Sequence, residues 1–431
     1  MKLSVTQLIL ALVILLNLPS AFAKDIIFKS ADERINAIKN GRVWSAPDWM
    51  DANFQFVKDI DVYNGPAVEA PYQLLFQDAI YCVTTEEDQQ SSFGGKTPKF
   101  YCRLIDSLNG SFNASAPTPL VGANGKTVKI KVKYPYAGGK PNNEIYGEVL
   151  GTRLLWALGF GADRMFYVAQ THCYGCAVDP YKARKVDASS VAQARVFYPT
   201  AIELKLEGEK MAMLAPVKDN QARQEENESE AEPALAEGFS FKELMKYLPE
   251  DQSQQYAAYS QREALRLLAI FLQHSDLKAE NQKILCPAKQ DANGACPVQP
   301  LLYIQDIGAS FGVSVKGFKL DKVNFKTWTS EPVWLDASKC QANMSRPFLK
   351  DSSMKNPIIA EIGRKFLAQL LDGFTAGEAG RKRVEDLFKA ARMDQRASKE
   401  TIQMWVDAFM VRVNAIKFPM GEANPNFVCP Q

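Results

Sequence analysis

Eight cysteines, all after residue 81, place the strongest constraint on how this 431-residue chain can fold. An even number of cysteines in an exported chain favours disulfide bonds. Cys82 and Cys102 lie in two strand-like runs joined by a polar loop, and Cys286 and Cys296 bracket another polar loop. Cys173 and Cys176 are separated by two residues. We predict that each of these pairs forms a bridge, which leaves Cys340 to pair with Cys429.

Two other uses of the cysteines are weaker. Zinc binding is disfavoured because the chain has no second Cys-x-x-Cys motif to complete a four-thiolate site. A thiol oxidoreductase centre at Cys173 and Cys176 is disfavoured because no amphipathic helix follows the motif and Pro180 comes soon after it. We therefore interpret the cysteines as structural.

The first residues have the pattern of a cleavable signal peptide. Lys2 precedes an apolar run over about residues 8–18, and small residues follow at Ala21 and Ala23. We expect residues 1–23 to be removed and the mature protein to be periplasmic or secreted. A retained anchor is the alternative, but the run is short for a span, and no later segment reaches the roughly 20 apolar residues that a span needs.

Composition excludes several classes of protein. With 46% hydrophobic and 23% charged residues, the chain is neither disordered throughout nor fibrous. Its formal net charge of +2 provides no basic field, so we expect no nucleic-acid partner. Only two histidines are present, His172 and His274, which excludes histidine-rich metal centres.

The order of the predicted elements indicates an α+β chain with two lobes. Residues 24–70 form an N-terminal extension, 71–206 a β-rich lobe and 239–431 a helical lobe, while 207–238 are rich in Glu and Gln and form a flexible acidic insert. Strands are predicted over 73–83, 99–104, 126–134, 165–170 and 201–206, and later helices over 264–272, 357–371, 381–392 and 399–417. Ser260 and Glu263 form a capping-box pattern ahead of the first of these helices.

One strand and the helix after it carry charged residues of interest. Apolar residues alternate with Lys129, Lys131 and Lys133, so the three lysines share one face of the strand. The following helix can be capped by Asn142 or Asn143 and ends before Gly159. This helix includes Glu148.

The residues with the clearest chemistry follow the buried 264–272 helix. Asn281 and Asp306 provide the oxygen ligands that Mg²⁺ prefers when it also bridges phosphate oxygens. Asp276 is placed to accept a proton from an attacking hydroxyl group, and Lys278 to offset charge on a transferred phosphoryl group. Gly308 permits a turn after Asp306.

The segment His274-Ser-Asp-Leu-Lys-Ala-Glu-Asn281 resembles the protein-kinase catalytic loop H-R-D-L-x-x-x-N, and Asp306-Ile-Gly308 resembles D-F-G. Over about residues 71–420 the chain resembles the atypical, secreted or bacterial kinase-like proteins, namely the HipA, spore-coat and secretory-pathway groups. The resemblance implies a bilobed protein-kinase-like fold, with Asp276 as catalytic base and Asn281 and Asp306 as metal ligands.

The resemblance also implies a nucleotide site with ATP and Mg²⁺ as cofactors. Lys131 or Lys133 would contact the phosphates and pair with Glu148, and the alternation of the strand does not choose between the two lysines. Glu144 is the weaker candidate for the acidic partner. Residues 203–206, beginning with Glu203, would form the hinge near the adenine.

The chain departs from the family pattern in four ways. The segment before the 99–104 strand contains only Gly94-Gly95 in place of G-x-G-x-x-G. Ser275 replaces the arginine that would sense a phosphorylated loop. The Cys286–Cys296 loop lengthens the path from Asn281 to Asp306, and no A-P-E segment follows.

Taken together, these residues predict an exported, ATP- and Mg²⁺-dependent phosphotransferase that acts on a hydroxyl group of a protein or another large substrate. One alternative is a nucleotidyl transferase on the same fold, which would move AMP. The other is a non-catalytic, disulfide-rich binding protein of the envelope or the medium. We expect His274 to be structural, hydrogen-bonded near the Asp306–Gly308 turn.

Overall fold

The computed structural model describes residues 26–28, 30–45, 54–66, 68, 72–90, 97–106, 118–122, 125–213, 238–289, 291, 295–316, 319–344, 351–396 and 398–429. The predicted signal peptide, Gly94-Gly95 and residues 214–237 of the predicted insert lie outside these residues.

The described residues contain fifteen strands. They are β1 (Ile26–Phe28), β2 (Ala79–Val83), β3 (Lys99–Ile105), β4 (Lys129–Lys133), β5 (Arg164–Val168), β6 (Gln170–Tyr174), β7 (Arg195–Phe197), β8 (Thr200–Leu204), β9 (Glu209–Met213), β10 (Gln282–Cys286), β11 (Leu301–Ile304), β12 (Val313–Lys316), β13 (Lys319–Lys322), β14 (Trp334–Asp336) and β15 (Gln341–Ala342).

The same residues contain eleven α-helices. They are α1 (Ala31–Asn40), α2 (Gln55–Asp59), α3 (Glu86–Gln90), α4 (Glu144–Ala157), α5 (Pro180–Ala183), α6 (Phe241–Lys246), α7 (Gln252–Phe271), α8 (Phe325–Ser330), α9 (Glu361–Thr375), α10 (Gly377–Ala390) and α11 (Ile402–Lys417).

A seven-stranded sheet forms the β-rich lobe, in the order β5-β8-β4-β3-β2-β6-β7. All its neighbouring strands are antiparallel except β2 and β6. Ile130 and Val132 of β4 join the apolar core of this lobe. Because side chains alternate along a strand, the lysines of β4 lie on the other face, as predicted.

Helix α4 connects the β-rich lobe to the rest of the molecule. It contacts β5 and β8 on one side and α10 on the other. Of its 14 residues, all except Trp156 are buried. The predicted start is close to the observed one: Glu144 N donates to Asn142 Oδ1 at 3.2 Å, and Gly159 follows the last turn with φ 83°. A helix buried on nearly all sides can hold a charged group away from bulk water.

The helical lobe is built around α7, α9 and α11. Helix α9 packs against both α7 and α11, and α10 packs against α11. Helix α7 starts earlier than expected, at Gln252, where the Asp251 side chain accepts from Gln254 N. The predicted capping box was wrong because Ser260 lies inside α7 and donates to Ala257 O at 2.8 Å. A capping box is present instead at the start of α6.

Residues 26–45 pack against the helical lobe. Strand β1 pairs in parallel with β9, which continues through β10 to β11 in a four-stranded sheet. The guanidinium group of Arg262 in α7 donates to the backbone oxygens of Ile38 and Gly41 at 2.7 and 3.0 Å. The flexible insert was predicted to begin at residue 207, but Glu209–Met213 form strand β9. These residues therefore belong to the four-stranded sheet.

Other element boundaries also differ from the predictions. Residues Tyr72–Phe76 form a 3-10 helix, so the strand predicted over 73–83 is only Ala79–Val83. The apolar run before β2 does not alternate, and a non-alternating run does not distinguish a strand from a helical turn. The three late helices are confirmed with shifted ends, as α9, α10 and α11.

The four predicted disulfides are present. They join Cys82 to Cys102, Cys173 to Cys176, Cys286 to Cys296 and Cys340 to Cys429. The chain is therefore an α+β, two-lobed and disulfide-stapled protein, as predicted. Among the described residues, no helix combines the length and the apolar character that crossing a membrane requires.

Candidate active site

Three charged residues from three separate elements meet between the lobes. The ammonium group of Lys133, at the end of β4, is hydrogen-bonded to the Glu148 carboxylate of α4. The same ammonium group contacts Asp306 Oδ1 at 3.2 Å. Lys133 and Glu148 are almost completely buried, whereas the Asp306 side chain is 39% exposed. One acidic side chain of the cluster is thus open to a ligand.

Glycine is required where α4 meets the Asp306–Gly308 turn. Gly308 N donates to Glu148 Oε1 at 3.2 Å. A Cβ atom at Gly308 would lie 2.8 Å from both Cγ and Oε1 of Glu148, and one at Gly147 would lie 2.6 Å from Gly308 O. Such contacts are too short for real side chains, so two glycines allow the helix and the turn to approach closely.

A β-hairpin brings Asn281 and Asp306 to the same place. Asn281 directly precedes β10, and Asp306 follows β11 by two residues. The two strands are antiparallel, with Gln282 opposite Ile304, and Gln305 N donates to Asn281 O at 2.8 Å. The Cys286–Cys296 loop lies at the far end of this hairpin and leaves this end intact. The Cys286–Cys296 loop lengthens the chain between Asn281 and Asp306, but the two residues remain close in space.

The loop that contains Asp276 is attached to the same turn. Gln273, just past the end of α7, has φ 54°, a left-handed conformation that redirects the chain after the helix. Ser275 N then donates to Ala309 O at 3.0 Å, and the Asn281 side-chain amide donates to Asp276 O at 3.0 Å. These bonds hold the loop against the Asp306 turn.

Asp276 and Lys278 project from this loop with their charged groups accessible. Lys278 Nζ lies 3.7 Å from Asp276 Oδ1 and 3.8 Å from Glu280 Oε1. Their side chains are 38% and 29% exposed, in contrast to the buried Lys133 and Glu148. Asp276 and Lys278 are thus available to a substrate without breaking a buried ion pair.

The structure distinguishes the two candidate lysines. Lys131 is paired in register with Glu203 on β8, and its ammonium group contacts the Glu203 carboxylate. Lys205 contacts the same carboxylate and also Asp163, at 3.1 Å. Of these two lysines, Lys133 is the one that contacts Glu148. Glu144, the weaker candidate for the acidic partner, contacts Lys322 of β13 instead.

Glu203 lies near the end of β8, shortly before the segment that leads to β9. Gln305, the residue before Asp306, donates to Glu203 Oε1 at 3.4 Å. Burial raises the pKa of Glu203, but the nearby Lys131 and Lys205 ammonium groups lower it by more, to about 2. Glu203 is therefore an ionised, buried group that is paired with Lys131 and Lys205.

The two carboxyl groups that share Lys133 have opposite pKa shifts. Burial raises the pKa of Glu148 to about 8. The Lys133 ammonium group opposes this increase, and the Asp306 carboxylate adds to it. For Asp306, desolvation is outweighed by the Lys133 ammonium group and by the hydrogen bond with Glu148, so its pKa lies well below the usual range. Two acids near one cation titrate as a coupled pair. Asp306 is the one that keeps its charge.

The oxygen atoms of Asn281 and Asp306 fit a hard divalent cation. Asn281 uses its side-chain N–H on Asp276 O, which leaves the side-chain oxygen for a ligand. Asp306 is ionised and partly exposed. One carboxylate and one amide oxygen are few ligands, which suits Mg²⁺ because it retains waters and binds substrate phosphates. The residues present therefore fit the predicted metal.

His274 is structural, as expected. Its side chain is fully buried, and Nδ1 lies 3.3 Å from Ser310 Oγ, just after Gly308. Burial lowers its pKa, in opposition to the charges of Asp276 and Asp306. A neutral, buried imidazole next to the turn supports the position of the loop.

Two lysines near the site were not predicted. Lys99 lies on β3 directly opposite Lys133. Lys322 contacts Glu144, and Asn143 Nδ2 donates to Lys322 O at 3.0 Å, so the β12–β13 hairpin is tied to the start of α4. Lys99 begins the strand that follows the Gly94-Gly95 segment, and this closeness in the sequence is the feature that could have identified Lys99 as a site residue. No motif marks Lys322.

The chain matches no protein-family model and no curated protein. Among solved structures, it is similar to the Helicobacter pylori proinflammatory kinase CtkA, with 12% identity and a TM-score of 0.34 over 77% of this chain and 91% of that chain. It is also similar to HipA of Shewanella oneidensis MR-1, solved with HipB and operator DNA, with 10% identity and a TM-score of 0.32 over 76% of this chain and 65% of that chain. We draw no functional conclusion from likenesses of this size. The two lobes of the chain and the Lys133–Glu148–Asp306 cluster at their junction agree with the α+β, two-lobed fold that the sequence predicted.

Proposed function

We propose that this protein is an ATP- and Mg²⁺-dependent phosphotransferase that acts on a hydroxyl group of a protein or another large substrate. The observation that carries the proposal is the contact of one buried ammonium group, that of Lys133, with both Glu148 and Asp306. Burying the ionisable side chains of Lys133 and Glu148 costs free energy, and a purely structural protein would not need the arrangement. A nucleotide site provides a reason for it.

Lys133 is the proposed phosphate-binding lysine. Glu148 contacts the Lys133 ammonium group from the α4 side and so fixes its position. The positive charge remains available to a ligand on the exposed side of the site. In phosphoryl transfer, positioning and electrostatic stabilisation supply most of the catalysis, so a fixed cation is more effective than a mobile one. Lys131 is assigned a supporting role, because its ammonium group is held by Glu203.

Asn281 and Asp306 are the proposed Mg²⁺ ligands. When bound, Mg²⁺ neutralises phosphate charge. This chain provides the two oxygen atoms at one end of the β10–β11 hairpin and keeps Asp306 ionised through Lys133. The hydrogen bond from Asn281 to Asp276 O links the metal-binding part of the site to the catalytic loop.

Asp276 is the proposed base. Its carboxylate accepts the proton of the attacking hydroxyl group while Lys278, 3.7 Å away, stabilises negative charge on the transferred group. Both side chains are partly exposed, which suits a large substrate that approaches from solvent.

Export is also a proposal. Four disulfides support it, because disulfides persist in oxidising compartments such as the periplasm or the extracellular space. The pattern of residues 1–23 supports the same interpretation. N-terminal sequencing of the protein recovered from a bacterial periplasm would test cleavage after Ala23, and an intact N-terminus in that fraction would contradict it.

Labelled ATP tests the activity and separates it from the alternatives. We expect the protein, with Mg²⁺, to transfer label from γ-labelled but not α-labelled ATP to itself or to a mixture of candidate proteins. Transfer from α-labelled ATP would show nucleotidyl transfer instead. No transfer and no Mg·ATP binding would favour the non-catalytic alternative.

Two variants and a control assign the roles. Asp306→Asn should lose Mg²⁺-dependent nucleotide binding, whereas Asp276→Asn should bind Mg·ATP normally and fail to transfer the label. Asp372→Asn is the matched control, because Asp372 lies on the surface of α9 in a contact with Lys417. Full transfer by both site variants would overturn the assignment.

A further inference from the structure

Lys99 is the first residue of β3 and lies directly opposite Lys133 of β4 in the antiparallel ladder. Directly opposite residues in such a pair have side chains on the same face, a few ångströms apart. Both lysines are buried, with 7% and 2% exposure. Two like charges facing each other destabilise a sheet unless something compensates them.

The compensation is unequal. Lys133 contacts Glu148 and Asp306. Among the described residues, no side chain forms an ion pair or a hydrogen bond with the Lys99 ammonium group. An ammonium group that is more than nine-tenths buried and has no partner is costly, because desolvation is not repaid by any counter-charge.

The groups around Lys99 show where its charge acts. Burial lowers the pKa of Lys99 to about 8, and Lys133 and Lys131 lower it further, while Asp306 and Glu148 oppose the shift. Lys133, Glu148 and Asp306 form the phosphate-binding and metal-binding end of the proposed site, and Lys131 is the neighbour of Lys133 on β4. Lys99 shares the sheet face of Lys133, opposite to the face of Phe100 and Cys102 in the apolar core, so it faces that end of the proposed site.

We propose that Lys99 is a second phosphate-binding lysine, and that a polyphosphate chain provides its missing counter-charge. The inference rests on the proposed nucleotide function and specifies how the phosphates are held. Phosphate cradles commonly use backbone N–H groups of a glycine-rich loop. The segment ahead of β3 has only Gly94-Gly95 in place of the family motif, and the Lys99 side chain provides positive charge from the strand that follows it.

Charge and side-chain shape can be separated at this position. Lys99→Met keeps a long apolar stem and removes the charge, whereas Lys99→Arg keeps the charge. Lys182→Met is the matched control, because Lys182 is in the same lobe with a 74% exposed side chain. The three variants and the unmodified protein are titrated calorimetrically with Mg·ATP, adenosine and inorganic tripolyphosphate.

We expect Lys99→Met to bind Mg·ATP and tripolyphosphate about tenfold more weakly or worse. Adenosine binding should be unchanged, because adenosine has no phosphate group for Lys99 to bind. Lys99→Arg should retain most of the affinity, and Lys182→Met should match the unmodified protein. Equal weakening of ATP and adenosine would indicate a structural role, and unchanged ATP binding would overturn the proposal.

The same titrations separate this inference from the proposed function. If the unmodified protein binds Mg·ATP and Lys99→Met binds it equally well, only the role of Lys99 is wrong. If the unmodified protein binds tripolyphosphate through Lys99 but not ATP, the anion site stands and the nucleotide function falls. If it binds neither ligand, both proposals are overturned.

Discussion

Lys133 Nζ lies 3.2 Å from Asp306 Oδ1, although 173 residues separate the two in the sequence. The contact joins the β-rich lobe to the turn that follows the β10–β11 hairpin. Glu148 holds the other side of the same ammonium group. A change at any of these three residues should therefore affect both the proposed nucleotide binding and the way the lobes are held together.

Replacement of Lys133 by methionine should lower kcat/KM by roughly 100-fold or more, because it removes the fixed charge proposed to stabilise the phosphates. Lys131→Met should have a much smaller effect on activity, because the Lys131 charge is directed at Glu203. Steady-state kinetics of the two variants side by side would measure this. A larger loss in Lys131→Met would show that the phosphates contact the other lysine.

Replacement of Gly308 by alanine should destabilise the protein and weaken nucleotide binding. The new methyl group would lie 2.8 Å from Glu148, so α4 and the turn must move apart. Overpacking of this kind costs about 1–3 kcal/mol. Thermal unfolding and Mg·ATP titration would measure the two effects, and an unchanged melting temperature would contradict the close approach.

The contact between Lys322 and Glu144 should couple the β12–β13 hairpin to α4. We expect Lys322→Met and Glu144→Gln each to increase amide hydrogen exchange at the start of α4. The double variant should add little to either single change, because both remove the same contact. Additive effects in the double-mutant cycle would show that the two side chains act independently.

Asp88 should make stability depend on pH in the acidic range. It is buried and accepts from Thr85, Arg103 and Lys129, and these contacts outweigh the effect of burial, so its pKa lies below the normal value. A lowered folded-state pKa means that its contribution is complete above the unfolded-state pKa of about 3.9 and is lost as the pH falls through the folded-state value.

Asp88→Asn should therefore lower the free energy of unfolding by about 2 kcal/mol at neutral pH. The difference from the unmodified protein should decrease below about pH 4. Urea unfolding at several pH values would measure it. A constant difference across the whole range would show that the Asp88 charge contributes nothing.

The four disulfides should contribute unequally to stability. Cys340–Cys429 closes a sequence separation of 89 residues, whereas Cys286–Cys296 closes one of 10. The chain-entropy relation gives about 4.6 kcal/mol for the longer loop and about 2.7 kcal/mol for the shorter. Paired Cys→Ser variants compared by thermal unfolding should show the larger loss for Cys340 with Cys429, and the reverse order would exclude the entropic account.

The sequence was sufficient for features that depend on neighbouring residues. The alternation of β4 placed Lys131 and Lys133 on one face, and short spacings identified three of the disulfides. The order of a β-rich half followed by a helical half indicated the two-lobed fold. Each of these follows from local periodicity or from a motif, and the folded chain preserves both.

Contacts between distant segments were decided only by the tertiary structure. Two lysines on one strand face are equivalent by periodicity, and only the position of α4 puts Glu148 within reach of Lys133 and leaves Lys131 to Glu203. The burial of Lys99 opposite Lys133 has the same origin, since strand register is set by pairing across the sheet. Charged groups find their partners through packing over the whole chain, and a one-dimensional pattern contains no such distances.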